Sequence, residues 1–341
     1  MPHLDPVAVL RECAFWLERA LADTYRVRAY RDAADIAESI PPGERPTTES
    51  GWRELSGFGP KTSSIAAACA AGLLPDALAR LREAGAASLD PGGDALRGQL
   101  RGDLHTHTVW SDGGSPLAEM AAVAEALGHH YIAITDHSPR LRVANGLSRE
   151  RLLAQWEEIA RVQEERSVRV LRGIEVDILA DGSLDQADDM LSGLDVVVAS
   201  IHSDLKADPA TMTARMVGAI SNPHTTVLGH CTGRKRRGDG SWRDQSRFDA
   251  DLVFAACAMF GVAVEINSRP ERQDPPLDLL RTASEAGCLF SIDSDAHAPG
   301  QLDFLTYGAA RAVEAGIEPD RIITTWPVAK LLDHARRHTK P

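Results

Sequence analysis

Val196-Val197-Val198-Ala199-Ser200-Ile201-His202 is a β-branched, apolar run that turns polar and ends on a histidine. β-branched residues favour strands, and a short unbroken apolar run suits a strand covered on both faces, as in a parallel sheet. Six more short apolar runs follow the same grammar, at Gly102–Thr106, Tyr131–Thr135, Arg169–Ile174, Thr226–Gly229, Val262–Ile266 and Leu289–Ile292. Stretches of helical character separate them, at Pro116–Leu127, Ser148–Glu165, Ala210–Ile220, Ala250–Phe260 and Leu277–Glu285. Alternating strand and helix predicts an α/β fold with helices outside a parallel sheet. Seven units favour a closed or nearly closed barrel, whose site lies at the carboxyl ends of the strands.

At those ends stand histidines and acids. The clusters are Asp103-Leu104-His105-Thr106-His107, Ser111-Asp112-Gly113, Thr135-Asp136-His137, Gly173-Ile174-Glu175, Ser200-Ile201-His202, Gly229-His230 and Ser294-Asp295-Ala296-His297. Imidazole and carboxylate together bind divalent transition metals, so the pattern predicts a metal-dependent hydrolase. Period-two spacing sends His105 and His107 to one face of a strand. Glu175 follows a buried run, where a carboxylate needs a partner; it is the candidate bridge between ions, or else a salt bridge to Arg172. Asp136 either orients a ligand by hydrogen bonding or caps the next helix. Asp112 lies in a loop beyond the first strand. His129 and His130 precede a strand and belong at the opposite end of the barrel. With His3, His224, His334 and His338 they read as ordinary surface or structural residues.

Outward from the barrel, residues 1–90 look all-helical, with apolar helical spacing over Val7–Ala22 and Tyr25–Ile40 and an Ala-rich helix from Ser63 to Ala71. The stretch 91–100 is rich in Gly, Ala, Asp and Pro, which suits an exposed linker, and residues 101–341 form the barrel. Net charge is −12, which counts against a surface coated for nucleic acid; such a role needs a local basic patch. Five scattered cysteines without a C-x-x-C pair read as buried thiols of a reducing compartment, the cytoplasm. No long apolar stretch or signal-peptide pattern predicts a membrane association.

These motifs, in this order, resemble those of the PHP (polymerase and histidinol phosphatase) family over residues about 101–335. The resemblance implies a distorted (β/α)7 barrel holding three divalent ions: zinc, manganese or iron. It assigns His105, His107, Glu175 and Asp295 to one ion, Asp112, His137 and His297 to a second, and Glu175, His202 and His230 to a third. Arg140–Leu147, Trp156-Glu157-Glu158-Ile159, Gly173–Leu184 and Thr325-Trp326-Pro327 look like the PHP region of bacterial family X DNA polymerases. Phe15–Tyr30 and Gly57-Phe58-Gly59-Pro60-Lys61 resemble the helix-hairpin-helix domain that opens those polymerases. The nucleotidyltransferase domain between the two is absent, so polymerisation is not expected. Ile65 occupies the position of their Schiff-base lysine, which counts against lyase chemistry. Cys231 stands where proline is expected.

The chemistry implied is phosphoester hydrolysis. Asp295 and Glu175, with Arg234 and Lys206, are the candidate catalytic residues. Arg140, Arg142 and Arg269 are further candidates for holding phosphate. Arg234-Lys235-Arg236-Arg237 is a dense basic run that would border the site and meet a nucleic-acid backbone. Gly57, Gly59 and Lys61 of the hairpin, with Arg26, Arg28 and Arg31, are candidate DNA contacts. Residues 1–90 carry 10 basic and 13 acidic side chains, so that binding is expected to be weak. The expected function is hydrolysis at DNA ends in repair, as a 3′–5′ exonuclease, 3′-phosphatase or abasic-site nuclease, with a separate DNA polymerase as a partner. The alternatives are a small-molecule phosphatase of the histidinol phosphate type and a non-catalytic repair adaptor.

Overall fold

The computed structural model describes residues 4–336, so His3 and His338 lie outside the described residues. The chain divides into two compact units, ending at Ser88 and beginning at Leu89.

The first unit is helical: α1 (Pro6–Arg19), α2 (Thr24–Ser39), α3 (Glu49–Arg53), α4 (Pro60–Ala70) and α5 (Asp76–Gly85). Asp5 and Asp23 begin α1 and α2 by accepting from the Val7 and Tyr25 amides, which satisfies donors the helix leaves free. Leu10, Leu17, Tyr30, Trp52, Phe58, Ile65 and Leu78 fill the core. Gly57 turns the chain into α4 at φ +99°, and a Cβ there would meet Ile36 Cδ1 at 2.3 Å. Only glycine fits that corner.

The second unit contains seven parallel strands in sequence order. They are β1 (Gly102–Thr106), β2 (Tyr131–Ile134), β3 (Arg169–Asp177), β4 (Val196–Ser200), β5 (Val227–Leu228), β6 (Ala263–Asn267) and β7 (Phe290–Asp293). Inside, Leu104, Tyr131, Ala133, Leu171, Val196, Val198, Val227 and Ala263 pack with Ile323, Trp326 and Leu331, and the Tyr131 hydroxyl donates to the carbonyls of Ile323 and Trp326. Outside, Ile132 and Ile134 face Met120 and Ala124 of α7 (Leu117–Ala126) and Ile159 of α8 (Arg149–Glu164). The result is a distorted (β/α)7 barrel.

Two features depart from the sequence reading. Residues 91–100 are not an exposed linker. They make a 3-10 turn at Pro91–Gly93 and the short α6 (Asp94–Arg97), and Leu96 and Leu100 are buried. A Cβ on Gly93 would lie 2.3 Å from the Thr306 carbonyl oxygen, so the segment lies directly on the helix α13 (Leu305–Glu314). The second departure is in β1, where the register slips between Asp103 and Thr106, so that Leu104 and His105 together oppose Ala133. His105 and His107 nonetheless meet in one group with Asp295, as their spacing predicts. The barrel is nearly closed, as the sequence reading allowed: β7 does not rejoin β1 by a regular ladder. Apart from the bridge of Thr106 to Ala296, carboxylates close the ring: Asp293 accepts from the Leu104 amide at 2.9 Å and Asp103 from the Ser294 amide at 3.2 Å.

Candidate metal centre

The carboxyl ends of the strands bring all nine sequence-predicted ligands into one cluster. Four overlapping groups have ligand atoms within 4.8 Å of one another: His107, Asp112, His137 and His297; His105, Glu175 and His230; His105, His107 and Asp295; His137, Glu175 and His202. Glu175 belongs to two groups and lies at the middle. Its Oε1 is 2.8 Å from His230 Nε2 and 3.2 Å from His202 Nε2; its Oε2 is 2.8 Å from His137 Nδ1 and 3.4 Å from His105 Nε2. It sits two residues before the end of β3, and a bridge to His137 prolongs the pairing of β2 with β3 to the mouth. No contact with Arg172 is needed to explain it. Burial opposes its ionisation, yet the imidazoles of His137, His202 and His105 hold its carboxyl well below the usual range.

Asp112 lies on the loop after β1, with its Oδ1 3.5 Å from both His137 Nε2 and His297 Nε2. Asp136 builds that loop. It accepts from the Thr108 amide and hydroxyl, the Ser111 amide and hydroxyl, and Gln155; it neither caps a helix nor touches the cluster as a ligand. Asp295 stands at φ +52°, a left-handed conformation that Asp tolerates better than most residues. Burial works against its charge, but Arg272, with Nε 2.9 Å from Oδ2, and His105 hold its carboxyl well below the usual range.

Whether this cluster fits metal ions is tested by its nitrogens. Six buried ring nitrogens have no well-aligned hydrogen bond: His105 Nε2, both nitrogens of His107, His137 Nδ1, His202 Nε2 and His230 Nδ1; Glu175 lies close to three of them, at 2.8 Å from His137 Nδ1, 3.2 Å from His202 Nε2 and 3.4 Å from His105 Nε2, but off the line a hydrogen bond needs. A buried polar atom without a partner is costly unless something else takes its lone pair. In two cases the ring's other nitrogen is held by a carboxylate, His105 Nδ1 by Glu265 at 2.5 Å and His202 Nδ1 by Asp177. That fixes the tautomer and leaves Nε2 bare, as metal-binding histidines require. His297 Nδ1 differs: it lies 2.9 Å from the Asp295 carbonyl and 2.8 Å from Arg269 Nη1, so an acceptor and a donor share that nitrogen. The residues fit divalent cations.

Four residues that serve the cluster escaped sequence reading. Glu265 holds His105 and also accepts from the His230 amide at 2.6 Å. Asp177 holds His202. Asn267 donates to Asp295 at 3.1 Å and to Glu265 at 3.2 Å. Arg272 neutralises Asp295. An acid inside the apolar run Val262–Ile266 was the available signal for Glu265.

Several candidates sit elsewhere. Lys206 is 85% exposed and pairs with Asp244 at 3.7 Å. The Arg234 guanidinium stacks over Trp242, 3.9 Å from the ring centre, and its amide donates to Asp274, so it touches no ligand. Arg269 does reach the cluster and donates to the Asp295 carbonyl at 3.1 Å. Arg140 and Arg142 are exposed on the loop after β2. Cys231 is buried, which pushes its thiol well up, so it is inert. His129 is buried and accepts from Arg97, a structural role.

In the first unit, Gly57 and Gly59 form the corner before α4 and Lys61 lies in its first turn, and Arg26 lines a 770 Å³ cavity with Tyr30, Lys61, Ile65 and Arg80. Arg28 is exposed. Arg31 is a correction: it is buried and makes a two-pronged ion pair with Glu18, at 2.9 and 2.7 Å, so its charge is spent inside the helical core.

A family model described as the PHP domain matches residues 103–268. The chain is 38% identical over 230 residues to the DNA polymerase/3′-5′ exonuclease PolX of Bacillus subtilis, covering 66% of this chain and 39% of that relative; it therefore spans about two fifths of its length. A protein of Shewanella halifaxensis named "Probable phosphatase" is 30% identical over 239 residues, covering 67% of this chain and 90% of its own. Among solved structures, a histidinol phosphate phosphatase of Lactococcus lactis, complexed with zinc, L-histidinol and phosphate, aligns at a TM-score of 0.47 and 17% identity over 64% of this chain and 94% of its own.

Proposed function

The chain belongs to the PHP family of phosphoester hydrolases, and we propose that it hydrolyses phosphoesters at DNA ends using three divalent cations, zinc or manganese. One observation carries the reading: nine imidazole and carboxylate side chains meet at the strand mouths, with six ring nitrogens that have no well-aligned hydrogen bond. Cations held there supply Lewis acidity to a phosphoryl oxygen and to water. The protein's own part is positional. Glu175 reaches four histidines at once, Glu265 and Asp177 fix ring tautomers, and Arg272 neutralises Asp295. Arg269 places a guanidinium beside that carboxylate, where a phosphoryl oxygen would meet a fixed donor.

DNA as substrate is supported by the 38% identity to PolX. The reaction is an exonuclease, 3′-phosphatase or abasic-site cleavage step of repair, with a separate polymerase as the partner that fills the gap. Five free, buried cysteines suit the cytoplasm, and among the described residues no helix is long and apolar enough to cross a membrane. A second reading, a phosphatase of small esters, draws on the likeness to the Shewanella protein, 90% of which this chain covers. Labelled oligonucleotides ending in 3′-hydroxyl, 3′-phosphate or an abasic site, run beside histidinol phosphate in manganese, separate the two. Turnover of an oligonucleotide end that a chelator abolishes is expected; turnover of histidinol phosphate alone would overturn the DNA reading.

A further inference from the structure

Residues 234–247 carry six basic and two acidic side chains in a chain of net charge −12. They leave β5 just beyond the ligand His230 and fold back as a hairpin. The Arg243 amide donates to the Lys235 carbonyl at 2.8 Å, the Arg237 amide to Ser241 at 2.7 Å, and Arg236 bridges Trp242. The hairpin is tied to the metal centre in two steps. The Arg236 amide donates to the Glu271 carbonyl at 2.6 Å, and the Glu271 carboxylate holds Arg269 at 2.7 Å. Arg269 in turn reaches the Asp295 carbonyl. Lys206 joins the same face, since Ser246 donates to the Leu205 carbonyl and Lys206 pairs with Asp244.

Two properties of the hairpin point to a ligand. Arg236 and Arg237 are exposed; they donate to the Gly240 carbonyl and the Ser241 hydroxyl, each at 3.4 Å, and among the described residues neither makes a close ion pair, though Asp239 feels the charge of Arg237. Trp242 is 37% exposed, and Arg234 covers one face of it at 3.9 Å. Exposed cations beside an aromatic ring backed by a guanidinium match an unpaired nucleic-acid strand, with its phosphates on the arginines and a base on the ring. A paired duplex hides its base faces, and a small phosphate ester would span neither feature.

We propose that the hairpin 234–243 is a single-strand docking strap that feeds a nucleic-acid 3′ end to the metal centre and sets the preference for oligonucleotides over small esters. The inference rests on the DNA-end reading for its biological sense, though its test does not. Binding of a 3′-labelled single strand with phosphorothioate linkages is measured by anisotropy on the full metal-loaded chain, as wild type, R236A/R237A and W242A, between 50 and 200 mM salt. The double variant is expected to bind at least about tenfold more weakly, with the log–log salt slope reduced by about 1.4. W242A is expected to lose about tenfold on single strand and little on duplex. In turnover, the ratio of kcat/KM for oligonucleotide to that for p-nitrophenyl phosphate is expected to fall about tenfold in both.

Unchanged binding in both variants overturns the strap, whatever hydrolysis shows. So does a wild type that binds no oligonucleotide. A wild type that binds through the hairpin yet cleaves no DNA end supports the strap and overturns the DNA-end reading.

Discussion

Glu265 shows how much of a metal centre lies beneath its ligands. Eight of the nine candidate ligands were legible because they stand at or just past the apolar run of a strand, where a polar side chain needs a reason; Asp112, on the loop after β1, had the least support from position. Glu265, Asp177 and Asn267 sit within or at the tips of strands, and apart from the Asn267–Glu265 pair within β6 their partners come from other strands, so little local spacing marks them. Arg31 fails for the same reason in reverse: it reads as one more cation of α2, and only the packing of α1 against α2 brings Glu18 to it. Glu265 fixes both the ring of His105 and the backbone of His230. Replacing it by Gln keeps the shape but removes the charge that favours a metal-bound imidazole. Metal affinity, read by titration and elemental analysis, is expected to fall about 10–100-fold, with activity falling alongside. Unchanged metal content in E265Q would show that His105 needs no such anchor.

Among the elements, strands and outer helices follow their hydrophobic pattern closely, because burial on both faces leaves little freedom. What the pattern missed is irregular: the bulge in β1, which depends on the partner strand, and α6, whose Gly- and Pro-rich surroundings resemble a linker until they meet α13. One contact of α6 has a pH signature. His129, just before β2, accepts from Arg97 at 3.1 Å; burial, with Arg97 and His130 nearby, pushes its pKa from 6.5 down to about 3. The folded chain therefore keeps His129 neutral where the unfolded chain protonates it. Stability from this residue is full above pH 6.5 and declines as pH falls toward 3, by up to ~1.4 kcal/mol per pH unit. Denaturant midpoints between pH 7 and 5 are expected to drop less in H129Q, which keeps an acceptor but cannot titrate, than in wild type. Parallel curves would remove His129 from the account.

At the scale of the molecule, two units and a seven-stranded barrel were foreseeable from periodicity, and the first unit ends at Ser88, two residues before the expected 90. What composition hides is that residues 91–100 belong to the second unit. A chain beginning at residue 101 forgoes the buried Leu96 and Leu100, each worth about 2–3 kcal/mol. It is expected to melt about 5–10 °C below one beginning at residue 89, as scanning calorimetry would show; equal melting temperatures would mean that α6 is only laid on the surface. The carboxylate seam between β7 and β1 has a wider consequence. His105 and His107 leave one lip of that seam, and Asp295 and His297 the other. An ion held by both lips would act as a clasp on the ring, with part of its binding energy spent on closure. Occupancy of the centre and the integrity of the wall would then be one equilibrium, with the seam as the place that loosens first when the ion leaves.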